Sequence, residues 1–206
     1  MCLILPVGTL IAWKLGSVQR FRGQTLVDTL LLLPLALPPT VVGFTLLMLL
    51  GRGTTFGVWL NDRAGIQLVF TWLAGALAAA IIGGPLYIRS AATAFREIDR
   101  DLLEVAAMFG ASRCDVAKWV VLPIAKRGLL AGFALAFARA LGEFGATIMV
   151  AGNIPGSTQT LPLALFSAAS NGEDRTAIIC AVLLTSITLI LAILITSVER
   201  RKSIDG

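Results

Sequence analysis

Residues 104–123 read EVAAMFGASRCDVAKWVVLP, and how this stretch is read decides the fold. It is mixed and polar, yet it lies between two long apolar segments. Asp101-Leu-Leu-Glu104 has the form of a capping box, with Asp101 as N-cap and Glu104 at the third helical position. Ala106 and Ala107 leave a thin helix face that another surface can approach closely. Gly110 lacks a Cβ and can take positive φ, which turns the chain at a helix end. Val116, Trp119 and Val120 recur at i, i+3 and i+4, one face of a second helix. Leu122-Pro123 marks the end of that helix or a kink in it. A helix, a glycine turn and a second helix make a docking element; the plainer alternative is an amphipathic connector between membrane helices.

The surroundings settle the solvent. Of the 206 residues 57% are hydrophobic and 14% charged, whereas soluble domains carry about 25% charged residues. The chain is an all-α polytopic membrane protein. Its apolar runs contain Pro and Gly, which transmembrane helices tolerate better than soluble ones do. The net charge of +5 reflects basic loops on one side of a membrane, not a nucleic-acid surface. Histidine is absent, and Cys2, Cys114 and Cys180 lie far apart, so neither a disulfide framework nor a metal site is suggested. No Gly-Lys dipeptide occurs, which excludes a P-loop ATP site. An intramembrane enzyme would need a nucleophile with a base, or metal ligands, and neither is visible.

Five spans are expected along the chain, in a single transmembrane domain over residues 1–206. Met1 to Trp13 is apolar but shorter than the about 17 to 25 residues a spanning helix needs, and reads as the inner part of a first helix. It has neither a basic leader nor a cleavage site, which argues against a signal peptide. Lys14 to Gln24 is a basic loop. Thr25 to Leu50 is the second helix, with Thr25-Leu-Val-Asp28 as a capping-box-like start. Pro34, Pro38, Pro39 and Gly43 must kink it, either for packing alone or as a broken helix lining a cavity. Gly51 to Gly65 is a polar loop. Gln67 to Tyr87 is the third helix, ending near Gly83-Gly84-Pro85 and continuing as a polar helix past Arg89 and Arg96. Leu129 to Val150, a loop from Gly152 to Arg175, a helix from Thr176 to Val198 and a basic tail complete the chain.

Lys and Arg are distributed unequally. Lys14, Arg20, Arg22, Arg89, Arg96, Arg100, Arg113, Lys118, Lys126, Arg127, Arg200, Arg201 and Lys202 lie on one side; Arg52, Arg63 and Arg175 lie on the other. The positive-inside rule puts the docking stretch and the C-terminus in the cytoplasm, and five spans then put the N-terminus outside.

Two polar features invite function. In the fourth expected helix, FARALGEFGATIMVAGN, Arg139 lies about 15 Å along from Leu129, near mid-bilayer. Glu143 follows at i+4 and can pair with it. Charges at such depth gate or line a path, or else form a structural ion pair that fixes helix packing. Residues 153–160, NIPGSTQT, offer Asn153, Ser157 and Thr158 as donors and a backbone that could form an anion nest; the plain reading is a turn-rich outer loop.

The 104–123 stretch resembles the coupling loop of bacterial ABC-type import permeases. The form there is E-A-A, three residues, G, nine residues, an apolar residue, one more, then L-P. Glu104, Ala106, Gly110, Val120, Leu122 and Pro123 match, and Val105 stands where alanine is usual. Residues 138–147, ARALGEFGAT, with NIPGSTQTLPLA at 153–164 and LPLALPPTVVGF at 33–44, resemble permeases for tetrahedral oxyanions, molybdate permeases most closely. Sulfate and tungstate permeases share much of this pattern.

The resemblance implies a type I ABC importer permease fold with a coupling loop over about residues 96–127. Glu104, Ala106, Ala107, Gly110, Leu122 and Pro123 would be its contact residues. Pro38, Pro39, Arg139, Glu143, Asn153, Ser157 and Thr158 would be pathway or gate candidates. It implies a subunit of the bacterial inner membrane that works with a second copy of itself, two cytoplasmic ATPase subunits and an external molybdate-binding protein. No cofactor would be bound here; ATP and magnesium would be used by the ATPase. A self-contained carrier or channel is the remote alternative, and Arg139 and Glu143 are the only charged candidates for its coupling site.

Overall fold

The computed structural model describes residues 4–16, 22–65 and 67–204. Cys2, Arg20 and Gly206 lie outside the described residues. Among those described, every regular element is a helix. The order is α1 (Ile4–Gly16), α2 (Gln24–Ala36), α3 (Pro39–Leu50), α4 (Thr55–Ala64), α5 (Trp72–Arg96), α6 (Arg100–Met108) and α7 (Arg113–Val116). A π-turn (Ala117–Val121) leads into α8 (Leu122–Leu141), followed by α9 (Gly145–Ala151), α10 (Leu161–Ser170) and α11 (Asp174–Ile204).

Three helical stretches are long and apolar enough to cross a membrane: Trp72–Arg96, Arg113–Leu141 and Asp174–Ser197. The pair α2 and α3 makes a fourth if taken as one bent span. The expected count of five is therefore not reached by these helices, because α1 has 13 described residues and α10 has 10.

Helix α5 is the centre of the molecule. It packs on α1, α8, α9 and α2. Lipid tails are as apolar as side chains, so helices in a membrane associate through close fit rather than hydrophobic gain. The contacts use small residues accordingly. Ala91, Ala92 and Ala94 of α5 meet Ala12 of α1 and Ala125 and Ala136 of α8 in one core. Ala74, Ala78 and Ile82 meet Val42 and Leu46 of α3 and Ala146 and Val150 of α9 in a second. A Cβ on Gly43 would stand 2.6 Å from the Ala146 Cα and carbonyl oxygen, so only glycine permits this crossing of α3 and α9.

Several expected boundaries shift. The Thr25-Leu-Val-Asp28 box does not cap α2; its N-cap is Gly23, in the left-handed region at φ 98°. Pro34 sits inside α2, and the chain breaks at Pro38-Pro39, where α2 and α3 diverge by 108°. Pro38 and Pro39 begin α3 as N-cap and first residue, positions where a missing N–H costs no helical bond. The 51–65 loop contains α4, capped by Thr54, whose Oγ1 accepts from Gly57 N–H at 3.0 Å. Gly83-Gly84-Pro85 does not end α5, which runs on to Arg96; Gly83, Gly84 and Pro85 are all buried, and the packed neighbours hold the turn. The expected helix 129–150 is two, with a break between Leu141 and Gly145. The loop 152–175 contains α10.

Candidate coupling element and helix joint

The stretch at 104–123 folds as a helix, a glycine turn and a helix. Its first cap differs from expectation: Asp99, not Asp101, is the N-cap of α6, with Oδ1 accepting from Asp101 N–H at 3.0 Å. Asp101 then falls in the first turn, where its charge suits the helix dipole. At the other end Gly110 has φ 80°. Its N–H donates to Ala107 O at 3.0 Å, and Ala111 N–H donates to Ala106 O at 3.2 Å. This pair of bonds is a Schellman cap, which satisfies the orphan carbonyls of Ala106 and Ala107. Ser112 and Asp115 form a true capping box on α7, with Asp115 N–H to Ser112 Oγ at 3.3 Å and Ser112 N–H to Asp115 Oδ2 at 3.1 Å.

Pro123 neither ends nor visibly kinks the second helix. The preceding turn widens to π geometry, with Leu122 N–H donating to Ala117 O. Proline crowds the carbonyl four residues before it, and a π-turn relieves that crowding. The extra residue also rotates the face. Val116 packs on the core and Val121 is buried, while Trp119 points outward, 70% exposed, with Lys118 Nζ 5.0 Å from its ring centroid. Val116, Trp119 and Val120 thus do not share one packed face. The consequence is a continuous helical rod from Arg113 to Leu141, about 42 Å long at ~1.5 Å per residue.

Glu104, Ala107, Gly110, Leu122 and Pro123 are exposed, and Ala106 is half-buried. Two residues that sequence reasoning passed over dominate the surface: Met108 is 86% and Phe109 88% exposed.

The second site lies at the far end of the rod. Arg139 is in the last turn of α8, not midway along an unbroken helix, and Glu143 sits in the break before α9. Arg139 Nη1 donates to Glu143 Oε2 at 2.9 Å, and Ala146 N–H donates to Glu143 Oε1 at 2.8 Å. Each charge therefore stands at the helix end whose dipole it complements. Glu143 is buried, at 2% exposure, and both its oxygens are engaged. A Cβ on Gly145 would lie 3.2 Å from Pro39 Cβ and Thr40 Cγ2, so the α8–α9 break lies against the α2–α3 break. The structure thus brings Pro39, Arg139 and Glu143 into one joint.

Asn153, Ser157 and Thr158 lie past the other end of α9. Asn153 Nδ2 donates to Ser167 Oγ of α10 at 2.6 Å, and Gln159 Nε2 to Asn153 Oδ1 at 3.0 Å. The N–H groups of Ser157, Thr158 and Gln159 all donate to Ile154 O, and Ile154 N–H donates to Thr158 Oγ1. These amides close a turn on themselves.

The long apolar helices, the capped glycine turn and the charged joint define a multi-pass helical membrane protein. The chain belongs to the family of binding-protein-dependent transport system inner membrane components, whose model matches residues 4–204. It is 42% identical over 190 residues to the putative molybdenum transport system permease protein YvgM of Bacillus subtilis (strain 168), covering 90% of this chain and 83% of that one. It is 39% identical over 203 residues to the molybdenum transport system permease protein ModB of Escherichia coli (strain K12), covering 97% and 88%. The sulfate transport system permease protein CysT of Escherichia coli (strain K12) is 37% identical over 194 residues, covering 94% and 69%. The expected permease resemblance holds across nearly the whole chain, and the protein is a transport permease subunit.

Proposed function

We propose that this chain is the membrane-spanning subunit of an ATP-driven importer for molybdate. Two copies would form the path, two cytoplasmic ATPase subunits would bind and hydrolyse MgATP, and an external binding protein would deliver the anion. The observation that carries this reading is the docking turn: Met108 and Phe109 stand on a Schellman-capped corner, joined through the π-turn to a helix that ends at the Arg139–Glu143 joint. Closure of the ATPase pair would draw the two corners together, and each rod would carry the displacement to its joint. The basic excess on the same side as the turn supports a cytoplasmic position for it and for the C-terminus, in the inner membrane of a bacterium. Arg139, Glu143, Pro38 and Pro39 would gate the path where the two breaks meet; Asn153, Ser157 and Thr158 would shape the loop beside it.

Molybdate is preferred because the relatives at 39–42% identity carry molybdenum in their names. Calorimetry of the cognate external binding protein with molybdate, tungstate and sulfate tests the choice. Tightest binding of molybdate is the expected result; binding of sulfate alone would move the chain to sulfate transport.

A further inference from the structure

A cavity of about 430 Å³ lies between the end of α3, α4 and the segment 67–70 that precedes α5. It is remote from the coupling turn, because α5 separates the two by about 36 Å at ~1.5 Å per residue. Its wall is largely apolar, with Leu47, Met48, Val69 and Phe70 among the lining residues. Arg52 also lines it, and its surroundings are unusual for a guanidinium. Nη2 donates to Gln67 Oε1 at 2.9 Å and to Asn61 Oδ1 at 3.4 Å, both neutral amides. Asp62 lies beside them but accepts from Asn61 Nδ2 at 3.1 Å. Among the described residues no carboxylate pairs with Arg52. Its guanidinium is therefore held by neutral amides rather than by a direct ion pair.

The surface around the cavity indicates its level in the membrane. Phe56, Trp59, Phe70 and Trp72 are all more than half exposed, and Phe56 and Trp59 stack with centroids 6.2 Å apart. Exposed aromatic rings cluster where a membrane protein crosses from hydrocarbon to headgroups. Phe44 and Met48, one turn apart on α3 and about half exposed, make an apolar track leading from the cavity along the helix.

We propose that this cavity holds the headgroup of an anionic phospholipid, with its phosphodiester on Arg52 and an acyl chain along Phe44 and Met48. A guanidinium suits a phosphodiester oxygen pair, and the apolar wall favours an amphiphile over a free anion. The inference is independent of which ion the chain transports.

Native mass spectrometry of the delipidated, assembled transporter tests it, with phosphatidylglycerol, phosphatidylcholine and inorganic phosphate as probes. Phosphatidylglycerol should occupy one site per chain about fivefold more tightly than phosphatidylcholine. Arg52→Gln should abolish that preference, and Arg52→Lys should keep most of it. Met48→Trp, which fills the cavity and leaves the guanidinium in place, should weaken phosphatidylglycerol to a similar degree. Equal binding of the two lipids, a preference that survives Arg52→Gln or Met48→Trp, or displacement of the lipid by inorganic phosphate would each overturn the proposal.

Discussion

Phe109 offers the sharpest test of docking, because its exposure separates folding from partnership. A phenylalanine side chain has about 150–250 Å² to bury, and Phe109 is 88% exposed in the single chain. Covering roughly 160 Å² at ~25 cal/mol per Å² gives about 4 kcal/mol. Ordering the ring in an interface removes about 1 kcal/mol of that. Phe109→Ala should therefore weaken association with the ATPase subunit by about 3 kcal/mol, roughly 150-fold in Kd. The permease itself should lose no more than about 0.5 kcal/mol of stability, since the ring touches little within the chain. The assay is the affinity of purified ATPase subunit for the permease in nanodiscs, alongside thermal unfolding of the permease alone. Phe56→Ala, about half exposed but on α4 at the opposite end, serves as the control and should leave the affinity unchanged. A Phe109→Ala chain that folds normally and binds within threefold of the unaltered chain would refute the docking role.

Gly110→Pro should be more severe for coupling: it demands φ near −65° where the chain has 80°, and deletes the N–H that caps Ala107 O; Glu104→Lys should act on the same surface by charge. Both variants should insert but lose copurifying ATPase or uptake, and full retention by both would make the loop a mere connector. Arg139→Ala and Glu143→Ala should each impair folding or uptake, since either leaves one partner of the pair alone. The double variant Arg139→Leu with Glu143→Leu should assemble yet transport poorly or leak; normal uptake at normal expression would reduce the pair to packing. For topology, with Cys2 and Cys180 replaced by serine, an impermeant thiol reagent on intact cells should spare exposed Cys114 and label an added Gly53→Cys. Labelling of Cys114 alone would put the docking turn outside.

What was legible in the sequence follows from how local each signal is. The helix–glycine–helix turn was readable because Gly110 acts within a few residues; the Ser112–Asp115 box beside it was not singled out. The Arg139–Glu143 pair was readable from its i+4 spacing, and its bond is present. The break between Arg139's helix and α9 was not, because Gly142 and Gly145 also suit close packing in an unbroken helix, and only the contact with Pro39 and Thr40 selects the joint. Similarly, Pro85 suggested an end to α5 that its buried setting overrides, whereas Pro38-Pro39, with extended Leu37 before them, does break the chain. The π-turn escaped notice because a 3.6-residue period is assumed when Val116, Trp119 and Val120 are placed on one face. The donor-rich segment 153–160 left a nest and a plain turn both open, because which acceptor its amides meet is not written in their spacing; those of Ser157, Thr158 and Gln159 meet Ile154 O.

The most direct test is uptake of radiolabelled molybdate into proteoliposomes containing this chain, its ATPase partner and the external binding protein. Accumulation that requires enclosed or added MgATP on the ATPase side, and that fails when Phe109→Ala replaces the unaltered chain, is the expected result. Molybdate entry through this chain without the ATPase, driven by its own gradient, would contradict the reading and identify a self-contained carrier or channel.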